Sequence, residues 1–300
     1  MYTVFGATGH IGSVITKTLL EKGEQVRVVG RHGGKLQPFV FKGAEAMTAD
    51  LTNAGAVARA LQGARAAFLM IPPGMSSPDY RVEQERTSDA IAEAVRESGL
   101  QYAVHLSSIG AQVPAGTGPI LGTHNSEQKL NVIDKLNVLH LRPAYFFENH
   151  LAGISMIQMM GLFGGALRPD LKIPMIATKD IGLYAAGRLW QLDFSGKQTQ
   201  ELLGERDLTM NEVTAIIGRA LNKPDLRYAQ FPYDQVQQVL VKMGTPAKTA
   251  DTFIEMLRGF NEGIVVGTEP RSEASTTRTS FETFVKDIFV PSYQGRAVGA

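Results

Sequence analysis

The chain has 300 residues, no cysteine, and a formal net charge of +1 from 30 basic and 29 acidic residues. This length is enough to bury one large core, or a core domain with a smaller lobe. Charges of both signs are spread along the chain, which argues against nucleic acid or an anionic membrane as a partner. Without thiols there are no disulfides or thiolate metal sites, and we predict no metal and a cytoplasmic location.

Up to Leu141, short β-branched apolar runs alternate with amphipathic stretches, a pattern typical of parallel βαβ units. It predicts six strands, at 2–5, 25–29, 44–48, 66–71, 102–107 and 138–141. The intervening stretches HIGSVITKTLLEKG, NAGAVARALQG and RVEQERTSDAIAEAVRESG have helical spacing and end on glycine. We therefore predict an α/β fold, with a doubly wound parallel sheet of the Rossmann type over residues 1–150.

The first predicted strand runs directly into GATGHIG, which predicts a dinucleotide-binding turn. Gly6 would permit the tight turn, Gly9 would let the backbone approach a pyrophosphate, and Gly12 would let helix and strand pack closely. The helix start would then offer free N–H groups to the phosphates. A plain strand-to-helix turn is the alternative. The cofactor contacts predicted from this loop are Gly6, Thr8, Gly9, His10, Ile11 and Gly12.

The end of the second predicted strand indicates which dinucleotide is preferred. NAD-preferring folds place an acidic residue there, whereas VVGRHGGKL contains Arg31, His32 and Lys35 and no acid. A guanidinium can pair with a 2′-phosphate through two hydrogen bonds, so we predict NADP(H) as cofactor, with Arg31 and Lys35 as contacts. A solvated surface arginine is the alternative.

Two further segments fall on the same carboxyl edge of the predicted sheet. Asp50 and Leu51 follow the third strand, where an adenine-contacting pair would fall, although Asp50 could equally cap a helix. Ile71 and Pro72 begin the turn-rich IPPGMSSP after the fourth strand and are predicted to form a wall of the cofactor site.

Beyond Pro143 the regular rhythm loosens, and residues 151–300 are predicted to form a smaller, mostly helical substrate-binding lobe. Within it, 172–190 has a strand-then-helix pattern and is predicted to return to the main sheet. Helices are also predicted in LTMNEVTAIIGRAL, capped by Thr209 or Asn211, and between residues 232 and 263. The final SYQGRAVGA is predicted to be a frayed tail.

Six segments together resemble the NmrA-like branch of the atypical short-chain dehydrogenases/reductases: GATGHIG, VVGRHGGKL, TADLTN, HLSSIGA, KLNVLHLRPAYFFENHL and IPMIATKDIG. The resemblance implies an NADP-binding Rossmann domain and a smaller lobe that closes over a substrate cleft. Members of that branch include NADPH-dependent quinone and phenolic-ether reductases, tailoring enzymes of secondary metabolism, and regulators that bind the nucleotide without turning it over.

The wider class uses a serine after the fifth strand and a tyrosine four residues before a lysine on the next helix. Here Ser107 follows the strand and Lys129 is present, but Asn125 stands where the tyrosine would be. The resemblance implies that Lys129 contacts the nicotinamide or its ribose and that Ser107 donates a hydrogen bond to a carbonyl oxygen. His124 is a third catalytic candidate, although a position five residues from Lys129 lies on a different face of the helix. Each of these could instead be an ordinary structural side chain.

Tyr145, Phe146 and Asn149 follow the sixth strand, where the family's substrate cleft lies, and are the predicted substrate contacts. Aromatic residues in such a position could also serve as packing between the lobes.

The sequence therefore predicts an NADPH-dependent oxidoreductase that transfers a hydride to a small apolar conjugated acceptor such as a quinone, enone or aromatic ketone. The alternative is a non-catalytic NADP(H)-binding redox sensor. The expected partner is a small-molecule substrate, with a homodimer possible through the helix at 81–99.

Overall fold

The computed structural model describes residues 1–296, which form one large sheet, two small sheets and helices around them. The twelve strands are, in chain order, β1 (Tyr2–Phe5), β2 (Val26–Gly30), β3 (Glu45–Thr48), β4 (Ala66–Leu69), β5 (Tyr102–Leu106), β6 (Asn137–Pro143), β7 (Tyr145–Phe146), β8 (Phe163–Gly165), β9 (Ile173–Ile176), β10 (Lys197–Leu202), β11 (Asp207–Leu208) and β12 (Tyr228–Gln230).

The helices cover both faces of the large sheet and build the C-terminal part. They are α1 (His10–Glu21), α2 (Gln37–Val40), α3 (Ala54–Leu61), α4 (Tyr80–Ser98), α5 (Ile120–Asn131), α6 (Ile154–Met160), α7 (Thr178–Gln191), α8 (Met210–Ala220), α9 (Tyr233–Lys242), α10 (Ala247–Asn261), α11 (Phe281–Phe284) and α12 (Val290–Tyr293). Within residues 1–296, each helix is too short or too polar to span a bilayer.

The large sheet confirms the predicted doubly wound α/β fold. Its seven strands lie in the order β10-β6-β5-β4-β1-β2-β3, and every pairing is parallel. All residues of β1 and β4 are buried, as expected for parallel strands covered by helices on both faces. Val4 packs in a core with α1 and α7, whereas Phe5 points the other way into a second core with α3 and α4. The apolar runs were therefore reliable signals of these strands.

The prediction that 172–190 returns to the main sheet is wrong for its strand. β9 forms the middle of a three-stranded sheet, parallel to β7 and antiparallel to β11. The free edge of β6 is occupied along six residue pairs by β10 instead. β7 follows β6 in the chain but lies outside the main sheet, and β9 pairs with it there. Only the helix of this segment, α7, returns to the main sheet, where it packs beside α1.

The C-terminal part is mostly helical, as predicted, and its helix α10 packs against the start of α4. Tyr80 at the start of α4 stacks on Phe253 of α10, with ring centroids 6.0 Å apart. Thr249 donates to the carbonyl oxygen of Ser77 at 2.6 Å and accepts from the N–H of Tyr80 at 3.2 Å. The helix thus holds the loop that follows β4, which lies at the carboxyl edge of the sheet.

Two finer predictions concern the N-cap of α8 and the last residues of the chain. Thr209, and not Asn211, caps α8, in a capping box with Glu212. In the predicted frayed tail, the first two residues belong to α12, and 297–300 lie outside the described residues. The division of the chain at residue 150 stays a prediction.

A chain of hydrogen bonds runs through the buried side chains of β5, β6 and α5. His140 Nε2 lies 3.0 Å from Asn131 Oδ1, the Nδ1 atoms of His140 and His105 are 3.0 Å apart, and His105 Nε2 lies 3.1 Å from Ser126 Oγ. An amide oxygen only accepts, so His140 must donate from Nε2 and accept at Nδ1, and His105 must donate from Nδ1. A proton added to His140 at Nδ1 would therefore set two N–H groups against each other, whereas one added to His105 at Nε2 would meet the Ser126 hydroxyl, which can turn and accept.

Three histidines, His105, His140 and His150, resist protonation because they are buried. Burial lowers the pKa of His105, His140 and His150 to about 3 each, with further lowering of His105 by His140 and of His140 by Arg142. The unfolded chain binds a proton at each histidine below about pH 6.5, while the folded chain does not. Stability should consequently be lost as the pH falls from about 6.5 towards 3.

We predict that His150→Phe makes the protein less sensitive to acid. His150 packs among the rings of Tyr145, Phe163 and Phe281, and its Nε2 has no hydrogen-bond partner within the described chain, so a phenyl ring suits the position. Between pH 7 and pH 5, each buried neutral histidine costs about 2 kcal/mol of the free energy of unfolding. Urea titrations at both pH values should show a loss smaller by about that amount in the variant. An unchanged loss, or the same reduction in the exposed-site control His32→Asn, would contradict the assignment.

Candidate functional site

A groove of about 260 Å³ lies at the carboxyl ends of β1, β2, β3 and β4. Its walls come from the loops that follow these four strands and from the first turns of α4. The lining residues are Gly6, Thr8, Gly9, Val29, Gly30, Arg31, Ala49, Asp50, Leu51, Thr52, Met70, Pro72, Pro73, Glu83 and Thr87. This edge is where open α/β sheets bind their ligands.

The glycine loop fits a bound pyrophosphate because it brings bare backbone to the groove. Gly6 has a φ of +65°, which favours glycine, and a Cβ at Gly12 would lie 2.3 Å from the carbonyl oxygen of Gly6. Gly9 is the N-cap of α1, and no side chain of the described residues caps that helix. The first-turn N–H groups of α1 can therefore face an anionic group, whose charge the helix dipole would favour.

Seven of the predicted cofactor residues line this groove: Gly6, Thr8, Gly9, Arg31, Asp50, Leu51 and Pro72. Gly12 supports the loop from beneath, and Ile11 is only 8% exposed in the core. Ile71 is partly buried just before the groove wall, and Lys35 lies in a short 3₁₀ turn, Gly33–Leu36, beyond β2.

His10 borders a different cavity, of about 480 Å³, between α1 and the segment 279–288. Glu148 also lines this cavity and accepts hydrogen bonds from the N–H and the hydroxyl of Thr178, at 3.1 and 2.5 Å. Burial raises the pKa of Glu148, while the Thr178 hydrogen bonds and the nearby His10 oppose that rise. The Glu148 carboxylate thus caps the N-terminus of α7. This cavity and the groove lie on either side of the glycine loop, with His10 in one and Gly9 in the other.

The Asp50 side chain has a structural task within the groove wall. Its Oδ1 accepts from the N–H and from the hydroxyl of Thr52, both at 2.9 Å, which closes a local turn. Thr52 is the partner of Oδ1 among the described residues, and Asp50 is exposed to solvent.

Sequence reasoning missed the far wall of the groove, which includes Glu83 and Thr87. These two residues lie one turn apart near the start of α4 and face the strand ends. An i, i+4 polar pair at the start of a helix that follows a predicted binding loop could have indicated them. Tyr80 steadies the same wall, because its hydroxyl donates to the Pro72 carbonyl oxygen at 2.9 Å.

Ser107 lies at the end of β5 and is bound to a buried ion pair. Its hydroxyl donates to Glu127 Oε1 at 2.5 Å, and the same carboxylate accepts from Arg142 Nε at 2.9 Å and Nη2 at 2.6 Å. Ser107 is 4% and Glu127 2% exposed. Sequence reasoning missed Glu127 and Arg142, although an arginine inside the apolar run LHLRP indicates a buried partner.

Lys129 points across α5 towards α4. Its Nζ lies 2.6 Å from Glu85 Oε1 and 2.6 Å from Asp89 Oδ1, and Asn125 donates to Glu85 Oε2 at 3.1 Å. Burial lowers the pKa of Lys129, but the hydrogen bonds and charges of Asp89 and Glu85 outweigh it and raise the pKa above its ordinary value. His124 faces elsewhere, with Nδ1 2.7 Å from the carbonyl oxygen of Ala111. The structure therefore does not bring the three catalytic candidates together.

The predicted substrate residues lie beyond the end of β6. Tyr145 packs edge-on against Phe260 at 5.8 Å, and burial raises its pKa to about 12, opposed by a hydrogen bond with Asn149. Phe146 is partly buried and pairs with Ile176 in the small sheet, and Asn149 is exposed. Their role as substrate contacts stays a prediction.

Comparisons with known proteins agree with this architecture. An "NAD(P)H azoreductase" of Xenophilus azovorans is 26% identical over 258 residues, 85% of this chain and 86% of that protein. The crystal structure of an NADPH-dependent quinone oxidoreductase of Escherichia coli, complexed with NADPH, has a TM-score of 0.82 at 21% identity and covers 96% of this chain and 100% of that one.

A second similar structure belongs to a protein of a different kind. NmrA, described as a negative transcriptional regulator and solved in complex with NADP, has a TM-score of 0.68 at 16% identity over 98% of this chain and 97% of that one. The sequence profile of the NmrA-like family matches residues 2–284. With the match running through the glycine loop, the strand ends and the C-terminal lobe, the chain belongs to the NmrA-like family.

Proposed function

We propose that this protein binds NADP(H) and transfers a hydride from it to a small apolar conjugated acceptor such as a quinone, enone or aromatic ketone. The observation that carries the proposal is the groove at the carboxyl edge of the sheet, where the bare glycine loop and Arg31 line one cavity. The similar azoreductase and quinone oxidoreductase, named for NAD(P)H or NADPH and for conjugated acceptors, support it.

The proposed preference for NADP(H) rests on charge at the end of β2. Arg31 is exposed and lines the groove directly after the last residue of β2, Gly30. The guanidinium can therefore meet a 2′-phosphate with two charge-assisted hydrogen bonds, and VVGRHGGKL offers no carboxylate to a ribose 2′-hydroxyl. Asp50 and Leu51 line the neighbouring part of the groove, where the adenosine half would lie.

The bound cofactor would supply the hydride, so the protein has only to place it against the acceptor and exclude water. A quinone can take its protons from solvent after hydride transfer. Reduction of a quinone therefore does not require the tyrosine that Asn125 replaces. A simple ketone needs a proton donor at its oxygen, which makes it a poorer candidate.

The polar contacts also favour a second candidate, a protein that senses NADP(H) without oxidising it. The ammonium of Lys129 contacts two carboxylates of α4, and the Ser107 hydroxyl donates its hydrogen bond to Glu127. Both groups thus bind protein carboxylates and not a substrate oxygen. Such a protein would use the same groove and would differ in its lack of turnover.

We predict that a side chain at Gly9 blocks the proposed cofactor site. Gly9 lines the groove, so Gly9→Leu would fill the space next to the loop and should weaken NADPH binding, followed by nicotinamide fluorescence, by more than tenfold. Gly187→Leu on α7 is the matched control, because a Cβ there meets nothing within 4 Å among the described residues.

The same proteins decide between the two candidate functions. Anaerobic mixing with a panel of quinones, enones and ketones should give NADPH oxidation with at least one conjugated acceptor for the wild type, and slower oxidation for Gly9→Leu at the same NADPH concentration below saturation. Tight binding without oxidation of any kind would support the sensor, and undiminished binding by Gly9→Leu would refute the proposed site.

We further predict that Arg31→Asp removes the preference for NADPH over NADH. The loss of two charge-assisted hydrogen bonds and the added repulsion should lower the ratio of the two affinities by about ten- to a hundredfold. Arg65→Asp makes the same charge change at the exposed opposite end of the sheet, just before β4, and should leave the ratio unchanged. Equal ratios for the wild type and Arg31→Asp would show that another group reads the 2′-phosphate.

A further inference from the structure

We propose that Ser107 acts as a hydrogen-bond acceptor for the carboxamide N–H₂ of the nicotinamide, and that Glu127 and Arg142 fix it in that role. This inference rests on the proposed binding of NADP(H). It differs from the expectation stated for Ser107 above, which was donation to a carbonyl oxygen of the substrate.

The partner of the hydroxyl proton of Ser107 decides whether Ser107 donates a hydrogen bond to a ligand or accepts one. A serine hydroxyl has one proton and can accept at its lone pairs. Ser107 donates its hydroxyl proton in a hydrogen bond to Glu127 Oε1 at 2.5 Å. Glu127 is in turn bound by two nitrogen atoms of Arg142, at 2.9 and 2.6 Å, a bidentate contact in which both carboxylate oxygens accept. With its proton committed, Ser107 can only accept from a further group.

Burial stabilises the hydrogen bond from Ser107 to Glu127 in this direction. Glu127 is 2% exposed and the Arg142 side chain 12%, so water competes little for either charge. Turning the Ser107 proton towards a ligand would remove one hydrogen bond from a buried carboxylate, which is costly. A ligand group that meets Ser107 must therefore bring its own proton.

The sheet order indicates which group of the cofactor that is. β5 is two strands away from β1, whose glycine loop faces the pyrophosphate, and neighbouring strands lie about 4.8 Å apart. Ser107 is thus about 10 Å along the sheet edge from the phosphate loop, on the side away from Arg31. The ribose adjoins the pyrophosphate, whereas the carboxamide is the far end of the nucleoside, and its N–H₂ is a donor.

The test compares NADP⁺ with its 3-acetylpyridine analogue, in which a methyl group replaces the carboxamide N–H₂. Titration calorimetry of the oxidised forms measures binding without turnover. The wild type should bind NADP⁺ about three- to tenfold more tightly than the analogue, because the analogue leaves the Ser107 lone pair unpaired.

Ser107→Ala should weaken NADP⁺ binding by about that factor and leave the affinity for the analogue unchanged, since only NADP⁺ loses a hydrogen bond. Ser107→Thr keeps the hydroxyl and should restore the preference. Ser108→Ala is the matched control, because that neighbouring hydroxyl donates to the carbonyl oxygen of Ile109 at 3.0 Å. An equal effect of Ser107→Ala on both nucleotides, or none on either, would overturn the inference.

A double variant tests the role of the ion pair. Glu127→Leu with Arg142→Met replaces both charges by apolar groups, a change that buried pairs often tolerate. The Ser107 proton is then free to meet the acetyl oxygen, and affinity for the analogue should rise about three- to tenfold while NADP⁺ binding is retained. If the double variant folds and prefers NADP⁺ over the analogue as strongly as the wild type does, Glu127 and Arg142 do not determine whether Ser107 donates or accepts. Failure of the wild type to bind NADPH or NADP⁺ would instead refute the proposed function, and this inference with it.

Discussion

The close contact between Gly12 and Gly6 is the constraint on which the cofactor groove depends. A Cβ at Gly12 would lie 2.3 Å from the carbonyl oxygen of Gly6 and 2.9 Å from the Cα of Ala7. Only without that atom can α1 start directly over the end of β1, with its first N–H groups at the sheet edge. Gly9, the residue before α1, lines the groove without a side chain. The missing side chain of Gly12 thus sets the position of the helix, and that of Gly9 leaves the opening beside it.

The other half of the sheet edge is shaped by buried polar groups. Between the ends of β5 and β6, the Glu127–Arg142 pair and the hydroxyl of Ser107 satisfy one another, and the His105–His140 contact lies deeper on the same two strands. Buried charges carry a desolvation cost that only good geometry offsets, so such a cluster tolerates few alternative arrangements. We infer that this half of the edge holds its shape with or without a ligand.

The features that the sequence predicted well are those that depend on local order. β1, β2, β4 and β5 are short apolar runs, and the glycine loop is a contiguous motif, so their structure follows from neighbouring residues. The features that it missed depend on contacts between elements. Glu127 meets Arg142 across 15 positions, Lys129 meets Glu85 across 44, and β10 rather than β9 takes the edge of β6. Spacing along one helix shows which face a side chain is on, but not which charge from another helix will meet it.

These long-range contacts bear directly on the choice between catalysis and sensing. The wider dehydrogenase class relies on a serine, a tyrosine and a lysine that act on the substrate oxygen and the ribose. Here the corresponding positions hold a serine whose proton is committed, an asparagine, and a lysine bound to two carboxylates. A site with these contacts has weak means of donating a proton, yet hydride transfer itself requires only proximity and orientation. Under the proposed function, the hydrogen bonds of Ser107 and Lys129 to Glu127, Glu85 and Asp89 therefore favour acceptors whose reduced form is stabilised by its own conjugation.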